Sequence, residues 1–246
     1  MRNRKMILTL GSLLLGVGMI AAGAAAAGGR QAAAQDLART NAKPAAKPMA
    51  FPIEQHKLDN GLRVVFSVDH SAPVFGIAVT YDVGSRNERK GRTGFAHLFE
   101  HMMFQGSENV GKGEHFILIL NNGGGMNGTT NEDRTNYFEQ LPANQLDLAL
   151  YLEADRMRAL AVNEANLQNQ RKAVKEERRL GIDNQPYGAT DEALSDILYD
   201  NFAYKHSVIG SMDDLDAASV DDVKDFFRLY YAPNNAVLTL VGDFNP

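Results

Sequence analysis

The chain predicts an α+β fold: a mixed or antiparallel sheet with helices packed on one face. Three observations lead there. Strand-like runs rich in β-branched and aromatic residues come early, several helix-period segments follow in series, and one apolar strand returns at Ala236 to Val241. Clustered strands and then consecutive helices indicate segregated layers, unlike the regular alternation of a parallel α/β sheet.

Taken in order, Asn60-Gly61 is a turn leading into a strand that ends at Val68. Val74 to Val83 is a second strand, stopped by Gly84. Thr93 to Gln105 predicts a helix with Phe95, Leu98, Phe99 and Met102 as its apolar side, and Gly113 to Asn121 a shorter one. Gly123-Gly124-Gly125 breaks the chain before a single strand expected over Thr129 to Gln140, whose polar middle suits a sheet edge. Helices are expected at Ala143–Leu160, Glu164–Leu180 and Asp191–Phe202. Ser219-Val220-Asp221-Asp222 has the form of a capping box, with Asp in place of Glu, opening a helix through Tyr231 that Pro233 ends.

The first fifty residues have a different character. Arg2, Arg4 and Lys5 precede an apolar run from Met6 to Ile20 and an Ala/Gly-rich tract, and Ala32-Ala33-Ala34 fits signal cleavage before Gln35. The reading is a secretory signal over 1–34 and export to the periplasm or medium, with no stable membrane insertion after cleavage. An uncleaved anchor over Met6 to Gly29 is the alternative. Residues 35–51 read as a proline-containing tether, and 52–246 as one folded domain of about 195 residues.

No cysteine is present, which removes disulfides, thiol nucleophiles and thiolate zinc sites. The net charge of −5 becomes −9 without residues 1–34, so nucleic acid is not expected as a partner.

The chemistry concentrates in His97-Leu98-Phe99-Glu100-His101. On a helix, residues three and four apart share a face, so two imidazoles can grip one ion with a carboxylate beside it. The order matches the H-x-x-E-H class. A catalytic zinc needs a third protein ligand. Glu176-Glu177, on the charged helix, offers two carboxylates about 100° apart, and the stripe Ala173, Val174, Glu177, Leu180 favours Glu177. The same stretch reads equally well as a solvated face tied by Glu/Arg and Glu/Lys pairs. His56, His70, His115 and His206 have no helix-spaced partner and are expected at the surface or in packing.

Gly94 to Phe104 resembles the active-site helix of the pitrilysin/insulinase zinc peptidases, the inverzincins. The 76-residue interval from His101 to Glu177 is similar to that family's spacing. So are Gly125-Met126-Asn127-Gly128-Thr129-Thr130 with Thr135-Asn136-Tyr137, His206 to Gly210, and Tyr230 to Ala236 running into Val241-Gly242-Asp243-Phe244. The resemblance covers about residues 52–246 and implies the fold of that family's metallopeptidase half. It implies that His97, His101 and Glu177 bind Zn²⁺, that Glu100 activates the zinc-bound water, and that Asn127, Thr129 and Thr130 dock peptide substrate as an added strand.

Two departures stand out. Gln170 replaces the family's supporting Glu, and Gly128 its frequent Ala, a change expected to loosen the edge strand. The family also implies a second, metal-free half, from the same chain or a partner chain, for efficient proteolysis. Relatives that serve as non-catalytic scaffold subunits provide the alternative function, although they tend to lack the motif retained here.

Overall fold

The computed structural model describes residues 51–246; the signal and tether expected before them lie outside the described residues. One six-stranded mixed sheet organises this unit, in the order β1-β2-β6-β3-β5-β4. Its strands are β1 (Glu54–Lys57), β2 (Arg63–Val68), β3 (Val74–Tyr81), β4 (Gly125–Thr130), β5 (Thr135–Pro142) and β6 (Ala236–Gly242). Only β2 and β6 pair in parallel; the other neighbours are antiparallel. The α+β expectation holds.

The described residues also form eight α-helices: α1 (Phe95–Met102), α2 (Glu114–Asn121), α3 (Leu146–Ala159), α4 (Glu164–Arg178), α5 (Thr190–Leu198), α6 (Phe202–Lys205), α7 (Met212–Ala217) and α8 (Val220–Tyr230). They cover the face that the strand alternation makes apolar. In β3, Phe75, Ile77, Val79 and Tyr81 are buried, while Gly76, Ala78 and Thr80 on the other face are only half-buried. Under α1, the Phe99 ring lies 4.1 Å from that of Tyr231 and 5.7 Å from that of Phe226, locking the helix to α8.

Several elements differ from the sequence reading. The strand expected over Thr129 to Gln140 is a hairpin. Asn131 Oδ1 accepts from Asp133 and Arg134 N, each at 2.9 Å, so the polar stretch expected within an edge strand turns the chain instead. The preceding Gly125 to Thr130 then becomes a strand of its own, β4. The helix expected to reach Phe202 stops at Leu198, because Tyr199 is extended and Asn201 caps a separate short helix by accepting from Ala203 N. β1 and α7 also went unforeseen. β1 has the sequence EQHK and is exposed throughout, so it carries no apolar alternation. α7 is a six-residue helix capped by Ser211. The box at Ser219 forms as expected, with Ser219 and Asp222 each bonding the other's backbone.

Candidate metal centre

α1 begins at Phe95, not Thr93, because Gly94 takes a left-handed conformation at φ +84°. Its buried face carries Phe95, Ala96, Leu98, Phe99 and Met102 into the core, which turns His97, Glu100 and His101 toward α4 and β4. The two imidazoles stand one turn apart, with ring centroids 4.8 Å apart and planes at 80°. From α4, Glu177 reaches both: its Oε1 lies 3.7 Å from His97 Nε2 and its Oε2 3.3 Å from His101 Nε2. One donor atom from each residue falls within a 4.8 Å cluster. Glu176 turns away and pairs with Arg179 at 3.0 Å.

Protonation suits ligation by nitrogen. Burial, with the neighbouring His101 in support, depresses the His97 pKa to about 4, so its imidazole is neutral at ordinary pH. Gln170 lies two helical turns before Glu177 on the same face of α4, and its Oε1 meets His101 Nδ1 at 3.3 Å. The Gln170 amide nitrogen donates to Asn169 at 2.7 Å, so that oxygen is the acceptor for a hydrogen on His101 Nδ1, and Nε2 is the ring nitrogen turned toward Glu177. An amide therefore still orients this ring where a carboxylate was expected.

Glu100 sits beside the triad. Burial raises its pKa, opposed by a 2.5 Å hydrogen bond from Thr130 Oγ1. Gly128 lies beneath it. A Cβ built there would stand 3.1 Å from Glu100 Cγ and Oε1 and 3.2 Å from Phe104 Cζ, so this glycine makes room for the carboxylate in addition to any effect on the edge strand.

β4 ends the strand order, and its outer edge is unpaired among the described residues. Alternation separates the expected substrate-docking residues. Thr130 turns toward Glu100. Asn127 and Thr129 lie on the opposite face, where Asn127 Oδ1 accepts from Gly128 N at 2.9 Å and the Thr129 hydroxyl meets Asn136 and Arg134.

A second group of possible ligands lies in the core: His115, Glu139 and Glu153. It already contains a cation. Arg156 pairs with Glu153 through Nε at 3.0 Å and through its terminal nitrogen, approaches Glu139 at 4.0 Å, and lies 4.5 Å over the Tyr137 ring. His115 Nε2 meets Glu139 at 2.5 Å. Burial pushes Glu153 up to about 7 and, with Arg156, His115 down to about 3. With a guanidinium in place, this cluster is a charge-compensated core network, not a metal site.

Arg156 had no sequence signal, since it reads as one more charge on an amphipathic helix. The side-chain contact of Thr130 with Glu100 was equally unforeseen, because that residue was expected to act through its backbone. Period-2 alternation would have found it once the hairpin was recognised.

Comparison with known proteins adds four matches. The sequence model of the insulinase family, peptidase family M16, matches residues 63–211. The zinc protease PqqE of Helicobacter pylori is 37% identical over 193 residues, covering 78% of this chain and 44% of that protein. Among solved structures, a protease from Helicobacter pylori superposes with a TM-score of 0.77 at 36% identity, over 80% of this chain and 48% of the other. The first half of the periplasmic protease PqqL from Escherichia coli gives 0.71 at 24% identity, over 82% and 44%, and shares the fold. The chain spans about half the length of the relatives it matches.

Proposed function

The chain belongs to the insulinase family of peptidases, M16, and on that premise we propose that residues 52–246 form the catalytic domain of a zinc endopeptidase. The observation that carries the reading is the convergence of His97, His101 and Glu177 on one point with Glu100 alongside. Two imidazoles and one carboxylate are a donor set that suits zinc and leaves a coordination position open. When bound, zinc supplies Lewis acidity to the attacking water and the scissile carbonyl.

The remaining chemistry belongs to the chain. Glu100, held by Thr130, takes a proton from the attacking water and hands it to the leaving amine. Burial raises the affinity of Glu100 for that proton, as a general base working near neutral pH requires. The edge of β4 left unpaired among the described residues offers its backbone to an extended peptide, so substrates are peptides or short unfolded segments joined as an added strand along Asn127 to Thr130.

The relatives' greater length supports a further element of the proposal: a second, similarly folded half, in the same or a partner chain, closes over the substrate. The pattern of residues 1–34 supports export, which puts the activity in the periplasm or medium.

Metal analysis and peptide cleavage test the reading. The full chain is expected to hold one zinc that chelator removes. Glu100→Gln should keep that zinc and lose about 10²-fold or more in cleavage rate. Unchanged cleavage in that variant would overturn the assignment, and a native protein free of metal would turn it toward a scaffold subunit.

A further inference from the structure

We propose that Glu88, His206 and Arg178 are positioning residues of the metal centre, joined by the strap His206 to Ser211. Together they clamp the start of α1 to the end of α4 and so fix the histidine pair against Glu177. This deepens the metallopeptidase reading and rests on it.

The argument starts with an unmet need. The first N–H groups of any helix lack partners within it. At α1 the capping position is Gly94, which has no side chain to offer. Glu88 supplies the cap from six residues upstream, its Oε2 accepting from Gly94 N at 2.9 Å and its Oε1 from Ala96 N at 2.8 Å. A carboxylate at a helix N-terminus also meets the positive end of the helix dipole. Ala96 precedes the ligand His97, so the cap fixes the turn that carries it.

His206 holds this carboxylate from the other side. Its Nε2 lies 2.9 Å from Glu88 Oε2 and its Nδ1 2.7 Å from Phe202 O. A carbonyl only accepts, so Nδ1 carries hydrogen, and one further proton is shared between Nε2 and Glu88. Burial opposes the charge on His206, but the hydrogen bonds to Glu88 and Phe202 outweigh it and raise its pKa.

The strap then passes against α1 at a point where only glycines fit. Gly94 and Gly210 are both left-handed, at φ +84° and +75°. A Cβ on Gly210 would stand 2.4 Å from Gly94 Cα, and one on Gly94 2.5 Å from Ile209 O. Ser211 N donates to Thr93 Oγ1 at 3.1 Å, and Thr93 is held in turn by Asp214. On its far side the strap reaches α4: Gly210 O accepts from Arg178 at 2.7 Å, and Arg178 also grips Glu192 at 2.6 and 3.0 Å. Arg178 directly follows the ligand Glu177. His97 and Glu177 are thereby tied to the same six residues, through contacts spanning up to 118 positions of sequence.

The test uses the full chain and the variants Glu88→Gln, His206→Ala and His206→Gln. Two readouts serve: Co²⁺ uptake followed by visible absorption, and amide hydrogen exchange of the metal-free protein. Glu88→Gln and His206→Ala should weaken Co²⁺ uptake about 10–100-fold, the usual effect of losing a group that orients a metal ligand. They should also change the shape of the Co²⁺ spectrum. Exchange across residues 94–104 should quicken at least tenfold (~1.4 kcal/mol of lost protection), with β3 and β5 unaffected. His206→Gln keeps an N–H donor for Glu88 and should stay within a few-fold of the parent. Parental Co²⁺ affinity and spectrum in Glu88→Gln would overturn the clamp, as would exchange that rises uniformly through helix and sheet. A parent chain that takes up no Co²⁺ would overturn the metal-centre reading instead, and the exchange data would still decide the clamp.

Discussion

Replacing Arg156 with methionine should cost about 3–5 kcal/mol at pH 8, the usual cost of breaking a buried ion pair from one side. The loss should be much smaller at pH 5.5. The magnitude follows from what the guanidinium leaves behind. Glu153 and Glu139 are 4% and 2% exposed, and Arg156 is the one cation within 4.0 Å of either among the described residues, His115 aside. Methionine fills the space of the stem but compensates no charge. The stranded carboxylates can escape only by binding protons. Burial already raises the native pKa of Glu153 to about 7 against 4.5 for the free side chain. Between those values the native state holds a proton that the unfolded state has released. The stabilisation is therefore complete below pH 4.5 and lost as pH rises through 7. Without Arg156 the native pKa rises further, so the loss deepens and extends upward, by at most about 1.4 kcal/mol per pH unit for each carboxylate. Urea unfolding at the two pH values measures it. With a slope near 2 kcal/mol/M, the midpoint should fall by about 1.5–2.5 M at pH 8 and by less than about 1 M at pH 5.5. Equal losses at both pH values, or a loss under about 0.5 M at pH 8, would show that Arg156 does not compensate these carboxylates.

Other outcomes follow from the same geometry. Phe99→Ala removes a ring that is 1% exposed and packed against Tyr231, Phe226 and Phe227. It should cost about 3–5 kcal/mol and lower Tm by roughly 6–20 °C in a thermal melt. Gly94→Ala and Gly91→Ala form a controlled pair, since both glycines are left-handed but only Gly94 is crowded. Gly91→Ala should cost about 1–2 kcal/mol of backbone strain and leave metal affinity unchanged. Gly94→Ala should cost more and weaken metal uptake at least tenfold, as read by Co²⁺ titration; equal effects of the two would argue against close packing of the strap on α1.

Much of the fold was legible because its signals are local. β-Branched and aromatic residues marked β3, an apolar run marked β6, the periodic runs marked α1, α3 and α4, and Ser219 with Asp222 announced the start of α8. The misses have local causes too. The polar stretch Asn131 to Asn136 suits an edge strand by composition, although Asn131 supplies the turn that splits it. β1 is too exposed to alternate, and α7 is too short to show a period.

The order of residues is enough to set the chemical types at the centre and the face of the helix they share, because 3.6 residues per turn puts His97, Glu100 and His101 on one side of α1. It also favoured Glu177 over Glu176 by the same periodicity. It took the packed fold to bring this face of α1 against that face of α4. The fold also decided that Thr130 rather than Asn127 reaches Glu100, that Gln170 orients His101, and that Glu88 and His206 close on the start of α1. Helical and strand periods fix the direction of a side chain relative to its own element. Which distant element it meets is set by packing and by side-chain contacts to backbone, and these leave no period in the chain.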